Sequence, residues 1–104
     1  MIIPDPIRRF VDATNAGDTE AFLDTFADDA MLTDWGRSFR GREEIARWNQ
    51  SDNIGVQSNL RIVHVAPGEG VYHVRIAVQG DGFNGEGDMA FILDGDRISS
   101  LIIS

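Results

Sequence analysis

The sequence has no cysteine, few basic residues and no long hydrophobic run. Without cysteine the chain can form no disulfide, no thiolate metal site and no thiol nucleophile, which fits a reducing compartment. Nine Lys and Arg residues against 17 Asp and Glu residues give a net charge of −8. Because the basic residues form no stripe, we expect neither nucleic acid nor an anionic membrane as a partner. With no membrane-length apolar run and no features of a signal peptide at the start, a cytoplasmic protein is expected.

The overall composition is typical of one globular domain. Apolar residues make up 42% and charged residues 25% of the 104 positions, close to the averages of folded proteins. No internal repeat, low-complexity tract or linker interrupts the chain. We therefore expect a single domain over residues 1–104, with a core large enough to form without disulfides.

Three helices are expected in the first half of the chain. An Asp-Pro pair at position 5 is a favourable helix start, the apolar residues after it recur at helical spacing, and Gly17 can end the helix. A second, shorter helix is expected over 18–29, followed by a short strand over 30–33. A third helix is expected over 41–48.

The second half of the chain changes to a period of two, which predicts strands. They are expected over 56–66, 71–79, 86–93 and 97–103, joined by short glycine-rich turns. Such turns connect antiparallel neighbours. Helices followed by a meander of strands indicate an α+β fold, in which the N-terminal helices pack on one face of an antiparallel sheet.

The register of the first predicted strand stays open between two alternatives. If the next turn has four residues, Val65 pairs with Tyr72, Arg61 faces the helices and His64 lies on the outer face. A turn one residue longer or shorter would reverse the strand and place Leu60 and His64 inside. The first register is preferred because it gives valines to the core. The two histidines have no third ligand at a supporting spacing, so no metal site is expected.

Three segments carry a family resemblance. Residues 7–18 (IRRFVDATNAGD), 22–30 (FLDTFADDA) and 39–45 (FRGREEI) resemble the nuclear-transport-factor-two-like superfamily. The chain looks most like its SnoaL-like group, which includes polyketide cyclases and is similar to ketosteroid isomerases. The resemblance implies a cone-shaped roll with a strongly curved sheet, a deep pocket between helices and sheet, and commonly a homodimer. Because the superfamily includes several enzyme types and non-catalytic members, fold does not determine reaction here.

The resemblance points to Asp34 as the candidate catalytic residue. In ketosteroid-isomerase-like members, the general-base aspartate stands at the position that this sequence gives to Asp34. Aromatic neighbours would desolvate its carboxylate and favour uptake of a proton from carbon next to a carbonyl. The alternative is a structural role, in which Asp34 hydrogen-bonds the turn at Gly36.

The same resemblance also argues against the isomerase reaction itself. The tyrosine that holds the oxyanion in isomerases is replaced by Phe10, which offers no donor. The protonated aspartic acid that assists it falls at or beside Met89. Loss of one such donor typically costs on the order of 10²–10³ in rate, so a ketosteroid-type isomerisation is not expected.

An aromatic-lined pocket with a few polar groups is the expected binding site. Arg61 would clamp an anionic or carbonyl ligand or neutralise Asp34, and the Tyr72 hydroxyl would donate to a ligand oxygen. The residues expected to bind substrate are Phe10, Trp35, Trp48, Arg61 and Tyr72.

Two kinds of function therefore remain open. One is a cofactor-independent acid–base enzyme of isomerase, cyclase or dehydratase type, acting on an apolar oxygenated molecule with Asp34 as base. The other is a non-catalytic domain that binds a hydrophobic ligand or dimerises through the outer sheet face. No cofactor is implied, since the sequence has no phosphate-binding loop and no metal constellation.

Overall fold

Three α-helices pack against a six-stranded sheet in the computed structural model, which describes residues 2–104. In chain order the elements are α1 (Asp5–Ala16), α2 (Thr19–Asp24), β1 (Phe26–Asp34), β2 (Arg37–Arg40), α3 (Gly41–Asp52), a 3₁₀ helix (Ile54–Val56), β3 (Asn59–Pro67), β4 (Tyr72–Gln79), β5 (Gly85–Asp94) and β6 (Arg97–Ile103). The predicted α+β architecture, with N-terminal helices on a curved sheet, is confirmed. None of the helices within residues 2–104 is long and apolar enough to span a bilayer.

The sheet is mixed, so the prediction of a fully antiparallel sheet is wrong at one pair of strands. The strand order is β2-β1-β6-β5-β4-β3. All neighbours are antiparallel except β1 and β6, which run parallel. The reason is connectivity: the chain leaves β1, builds the rest of the sheet, and returns to lie beside it as β6, and such a long connection permits a parallel pair. Register shifts interrupt three of the pairs, and bulges of this kind bend a sheet.

The first helix follows its predicted apolar stripe and ends as expected. Ile7, Phe10 and Val11 are buried, and Gly17 takes the left-handed conformation that closes the helix, with φ of 67°. Asp5 does not cap the helix with its side chain. Its carboxylate instead forms ion pairs with two arginines one turn later.

The second helix is shorter than predicted. It ends at Asp24, and β1 begins at Phe26, so Asp28 and Asp29 belong to a strand and not to a helix end. Thr25 turns the chain, donating both its backbone N–H and its hydroxyl to the Phe22 carbonyl. Phe26 is buried as predicted, but it reaches the core from the sheet.

Neither predicted register of β3 is correct, because a bulge at position 63 divides the strand. Before the bulge Ile62 pairs with Ile76, and after it Val65 pairs with Val74. Both halves therefore send apolar side chains to the core. Arg61 consequently points outward and is exposed, which corrects its expected inward orientation, and His64 is exposed as well.

Aromatic rings fill the space between the helices and the sheet. Phe10 contacts Phe22, Phe26 and Phe91, with ring centroids 5.3–6.1 Å apart. Trp48 of α3 stacks on Phe22 at 6.3 Å. Edge-on and tilted ring pairs of this kind add to the free energy of burial. The helix-covered part of the sheet is therefore solid core, and open space remains toward one end of it.

Candidate functional site

A cavity of about 380 Å³ lies at that end of the sheet. It is bounded by the β1–β2 turn, the end of α3, the start of β3, the second half of β4, the start of β5 and the end of β6. Its lining residues are Asp34, Trp35, Arg37, Asp52, Ser58, Leu60, Ile76, Val78, Phe83, Glu86, Gly87, Asp88, Met89, Ile103 and Ser104. Such a volume lies within the usual range for small-molecule sites.

The lining divides into an apolar wall and a polar cluster. We call Leu60, Ile76, Val78, Met89 and Ile103 the apolar wall. The polar cluster consists of Asp34, Arg37 and Asp52, which are joined by hydrogen bonds. A mostly apolar surface with a few fixed polar groups is the usual composition of a ligand site.

Asp34 is held by two side-chain donors. It is the last residue of β1, and its side chain is 13% exposed. Its Oδ2 accepts a hydrogen bond from Trp48 Nε1 at 2.9 Å and another from Arg37 Nη2 at 2.7 Å. Within residues 2–104 these two side chains are the only donors to the Asp34 carboxylate. The alternative, in which the carboxylate hydrogen-bonds the turn at Gly36, is therefore not observed. The two donors fix the position of the carboxylate.

Arg37 joins Asp34 to Asp52. Its Nη1 donates to Asp52 Oδ2 at 3.2 Å, and Ser51 Oγ donates to the same oxygen at 2.7 Å. The bond to Asp52 is foremost among the causes that raise the pKa of Arg37 above its usual value. Burial acts to raise the pKa of Asp52, but the bonds from Ser51 and Arg37 outweigh it and hold that pKa below its usual value. The pair of Arg37 and Asp52 is thus charged at neutral pH.

Two exposed aromatic residues belong to the cavity lining. Trp35 is 79% exposed and Phe83 is 60% exposed. Trp35 and Gly36 form the two-residue turn between β1 and β2, with φ of 50° and 84°. Two successive positive φ angles match a type I′ hairpin turn, which normally takes Asn or Gly at its first position. Trp35 thus occupies a conformation that its side chain does not favour.

Glu86 and Asp88 are also lining residues, but they alternate along β5 with Gly87 and Met89, so their side chains lie on the other sheet face. Both carboxylates pair with Arg75, at 3.0 and 3.1 Å, and the bond to Glu86 is the main cause that raises the pKa of Arg75. No group of three or more His, Asp or Glu side chains within residues 2–104 is arranged to hold a metal ion.

The structure brings together only some of the predicted site residues. Asp34 and Trp35 line the cavity, and Trp48 lies directly behind Asp34 as its hydrogen-bond donor. The other three lie elsewhere. Phe10 is in the aromatic core, Arg61 is exposed on the outer face, and Tyr72 begins β4 at the opposite end from the cavity-lining residues of that strand.

Sequence reasoning missed several residues of the site, and Arg37 is the most important of them. The strand β2 that carries it has only four residues and was not predicted. A usable signal was present, because a two-residue turn after Asp34 would have placed Arg37 directly opposite it. Ser58 was assigned to the interior of a strand, whereas β3 begins after it.

Comparison with known proteins identifies the family. Residues 7–100 match the sequence profile of the SnoaL-like domain. A candidate polyketide cyclase from Sinorhizobium meliloti is 27% identical, with a TM-score of 0.89 over 98% of this chain and 95% of that one. Comparison with curated proteins finds no significant match.

Two more distant structures share the fold alone. The Δ5-3-ketosteroid isomerase from a Mycobacterium species is 16% identical, with a TM-score of 0.80 over 95% of this chain and 88% of that one. A Mycobacterium tuberculosis protein in complex with estradiol-17β-hemisuccinate is 14% identical, with a TM-score of 0.81 over 94% of this chain and 88% of that one. With its profile match over nearly its whole length, the chain belongs to the SnoaL-like domain family of the nuclear-transport-factor-two-like superfamily.

Proposed function

We propose that this protein binds a small, mainly apolar, oxygenated molecule in the cavity, and that Asp34 acts on it as a general base. The observation that carries the proposal is a largely buried carboxylate, 13% exposed, beside an apolar wall in a cavity of about 380 Å³. Water-poor surroundings strengthen electrostatic contacts with a bound molecule. The site would therefore bind the body of a ligand through the apolar wall and orient its polar group through Asp34.

The geometry of Asp34 leaves one oxygen for a ligand. Both hydrogen bonds go to Oδ2, and no donor from residues 2–104 is bonded to Oδ1. Oδ1 could accept the proton from a carbon next to a carbonyl, with the C–H electron pair moving to the carbonyl oxygen as an enolate. Return of the proton to a different carbon gives an isomer, whereas attack of the enolate on a second carbonyl gives a cyclised product.

The relatives are consistent with this class of ligand. One structure with the same fold contains estradiol-17β-hemisuccinate, and others are a ketosteroid isomerase and a candidate polyketide cyclase. All three names refer to apolar skeletons that carry oxygen. Met89 lies in the apolar wall and Phe10 in the core, so neither supplies the oxyanion donor used by isomerases. Arg37 is the nearest cation to Asp34 that could offset developing negative charge.

Binding without catalysis is the second candidate, and the ion pair of Asp34 favours it. Arg37 lies 2.7 Å from the carboxylate, and Trp48 bonds the same oxygen, so Asp34 already holds two other side chains in place. In this candidate Asp34 only orients a ligand. The two candidates share the cavity and differ in whether a proton moves.

We also propose a homodimer that uses the outer sheet face. Ile92 and Ile102 lie on neighbouring strands and are both exposed. Exposed apolar side chains that lie together on a sheet favour association. Sedimentation of a monomer at micromolar concentration would contradict the dimer. A cytoplasmic location likewise stays a prediction from the sequence.

Ligand binding can be tested with a variant that fills the cavity. Gly87 lies opposite Ile76 in the sheet and lines the cavity. A Cβ at Gly87 would meet only the Ser104 carbonyl oxygen, at an ordinary 3.6 Å, so Gly87→Val should fold and occupy the cavity. A thermal-shift screen would use ketones, sterols, aromatic polyketide-like compounds and fatty acids. Saturation at 100 times the dissociation constant should stabilise the protein by about 2.7 kcal/mol, and Gly87→Val should remove this effect.

Proton transfer can be tested separately from binding. In D₂O, a general base exchanges the protons next to a ketone for deuterium, which NMR detects. We expect exchange with the protein and none above background with Asp34→Asn. Asp12→Asn, on the exposed side of α1, is the matched control and should exchange at the normal rate. Binding without exchange would support the non-catalytic candidate. If the screen finds no ligand whose binding is lost in Gly87→Val, both candidate functions are contradicted.

A further inference from the structure

Ser58 is a largely buried residue of the cavity lining whose hydroxyl is unpaired in the described part of the chain. The residue is 7% exposed, lines the cavity and immediately precedes β3. Its hydroxyl has no hydrogen-bond partner among residues 2–104, although its backbone N–H does. Polar side chains of largely buried residues are normally paired with protein or ordered water. An unpaired hydroxyl beside the apolar wall is therefore available to a ligand.

The backbone around Ser58 is fixed from two sides. Its N–H donates to the carbonyl of Asn53 at 3.0 Å. Asn53 is itself buried and bonded through its side chain to Thr14 and Asn49, at 3.1 and 3.0 Å. On the other side Gly80 packs so closely that a Cβ there would lie 3.0 Å from the Ser58 Cα. The hydroxyl is thus held by a rigid segment, as a recognition group requires.

The other polar groups of the cavity cannot easily replace this donor. The carboxylates of Asp34 and Asp52, when charged, can only accept hydrogen bonds, and those of Glu86 and Asp88 are paired with Arg75. Arg37 already donates to Asp34 and Asp52, and Ser104 is exposed. Ser58 is consequently the neutral side-chain donor of the lining that belongs to a largely buried residue. A carbonyl oxygen of a ligand, which can only accept, is the group that this hydroxyl suits.

We propose that Ser58 determines ligand specificity by donating its hydroxyl hydrogen to a carbonyl oxygen of the ligand. The inference rests on the proposed function, because it assigns the binding of the ligand's oxygen within the same cavity. It predicts that the site distinguishes a ketone from the hydrocarbon of the same shape. A site built to bond an oxygen rejects an analogue without it, because the donor would be left unpaired.

The test uses β-tetralone and tetralin, which share a bicyclic skeleton and differ in one carbonyl oxygen. NMR titration would give the affinity of each for the protein, Ser58→Ala and Ser58→Thr. We expect the protein to prefer the ketone by about tenfold, Ser58→Ala to lose that preference while its affinity for tetralin is unchanged, and Ser58→Thr to restore it. A general structural effect would weaken both ligands equally.

The outcomes separate this inference from the function on which it rests. Suppose that both compounds bind the protein, and that Ser58→Ala leaves the ratio of their affinities unchanged or weakens both equally. The proposed role of Ser58 would then be wrong, and the cavity would remain a ligand site. If neither compound shifts resonances of the cavity residues, binding of an apolar oxygenated molecule is contradicted, and the role of Ser58 falls with it. An unchanged melting temperature of Ser58→Ala would show that the variant is folded.

Discussion

Trp48 donates from its indole Nε1 to Oδ2 of Asp34 at 2.9 Å, across 14 positions of sequence. The same indole is buried and stacks on Phe22 of the aromatic core. The ring that completes the core therefore also fixes the carboxylate of the site. As a result, the position of Asp34 depends on helix packing as well as on the strand that carries it.

Trp48→Phe should separate these two roles. Phenylalanine retains a ring against Phe22 but cannot donate to Asp34, so we expect a loss of about 1–3 kcal/mol in the free energy of unfolding. A double-mutant cycle with Asp34→Ala, whose side chain has no acceptor, followed by urea unfolding, measures the coupling between the two side chains. We expect a coupling energy of at least about 0.5 kcal/mol. Strictly additive losses would show that the two side chains are not energetically coupled.

Acid should destabilise the protein partly through Asp52. The pKa of Asp52 is below its usual value of 3.8 in the folded protein, since the bonds from Ser51 and Arg37 outweigh the opposing effect of burial. A group with a lowered folded-state pKa contributes stability above the unfolded value, and that stability is lost as the pH falls through the folded pKa. Asp5 acts in the same direction, mainly through its bond from Arg8.

Urea unfolding at neutral pH and at successively lower pH would measure this dependence. Asp52→Asn should lose less stability on acidification than the parent protein, because its amide does not titrate. Asp12→Asn, which removes an exposed carboxylate on α1, should retain the acid dependence of the parent. Equal acid dependence in all three proteins would contradict the role of Asp52.

The regular elements could be predicted from the sequence because they depend on local patterns. The stripe of α1, the Gly17 helix end and the paired strands β4 to β6 follow from residue spacing and turn composition. The register of β3 could not be predicted, because a bulge at Val63 changes the face of its residues. Periodicity assumes an unbroken strand, so Arg61 was assigned to the wrong face.

The site was harder to predict because its contacts are distant in sequence. Asp34 was identified by resemblance, and Trp35 by its aromatic character. The hydrogen bond from Arg37 to Asp52 joins residues 15 positions apart. It forms only because the folded chain brings β2 beside the end of α3. Ser58 carries no sequence signal, because a serine becomes informative only when its burial and its lack of a partner are known.

Gly55 should not tolerate any side chain. A Cβ at this position would lie 1.5 Å from the carbonyl oxygen of Gln50, so the 3₁₀ helix would have to move away from α3. We expect Gly55→Ala to cost at least about 3 kcal/mol and to lower the melting temperature strongly. Gly70→Ala is the matched control: φ is 72° there, but the space is open, and left-handed strain alone costs about 1–2 kcal/mol. Similar losses at both positions would show that α3 and the 3₁₀ helix separate easily.

Trp35 should show a conflict between stability and binding. It occupies the first position of a type I′ turn at φ of 50°, where asparagine is favoured and most side chains are strained. Its indole makes little compensating contact, being 79% exposed. We therefore expect Trp35→Asn to raise the free energy of unfolding by about 0.5–1 kcal/mol.

The same change should weaken ligand binding, because Trp35 lines the cavity beside Asp34. Loss of the indole removes apolar area that a bound molecule would cover, and we expect an affinity several-fold lower for any ligand found in the thermal-shift screen. Trp35→Phe keeps an aromatic ring and the strained turn, so it should retain most of the affinity and gain no stability. A more stable Trp35→Asn with unchanged affinity would mean that the tryptophan has no part in the site. A less stable one would mean that the indole contacts outweigh the strain of the turn.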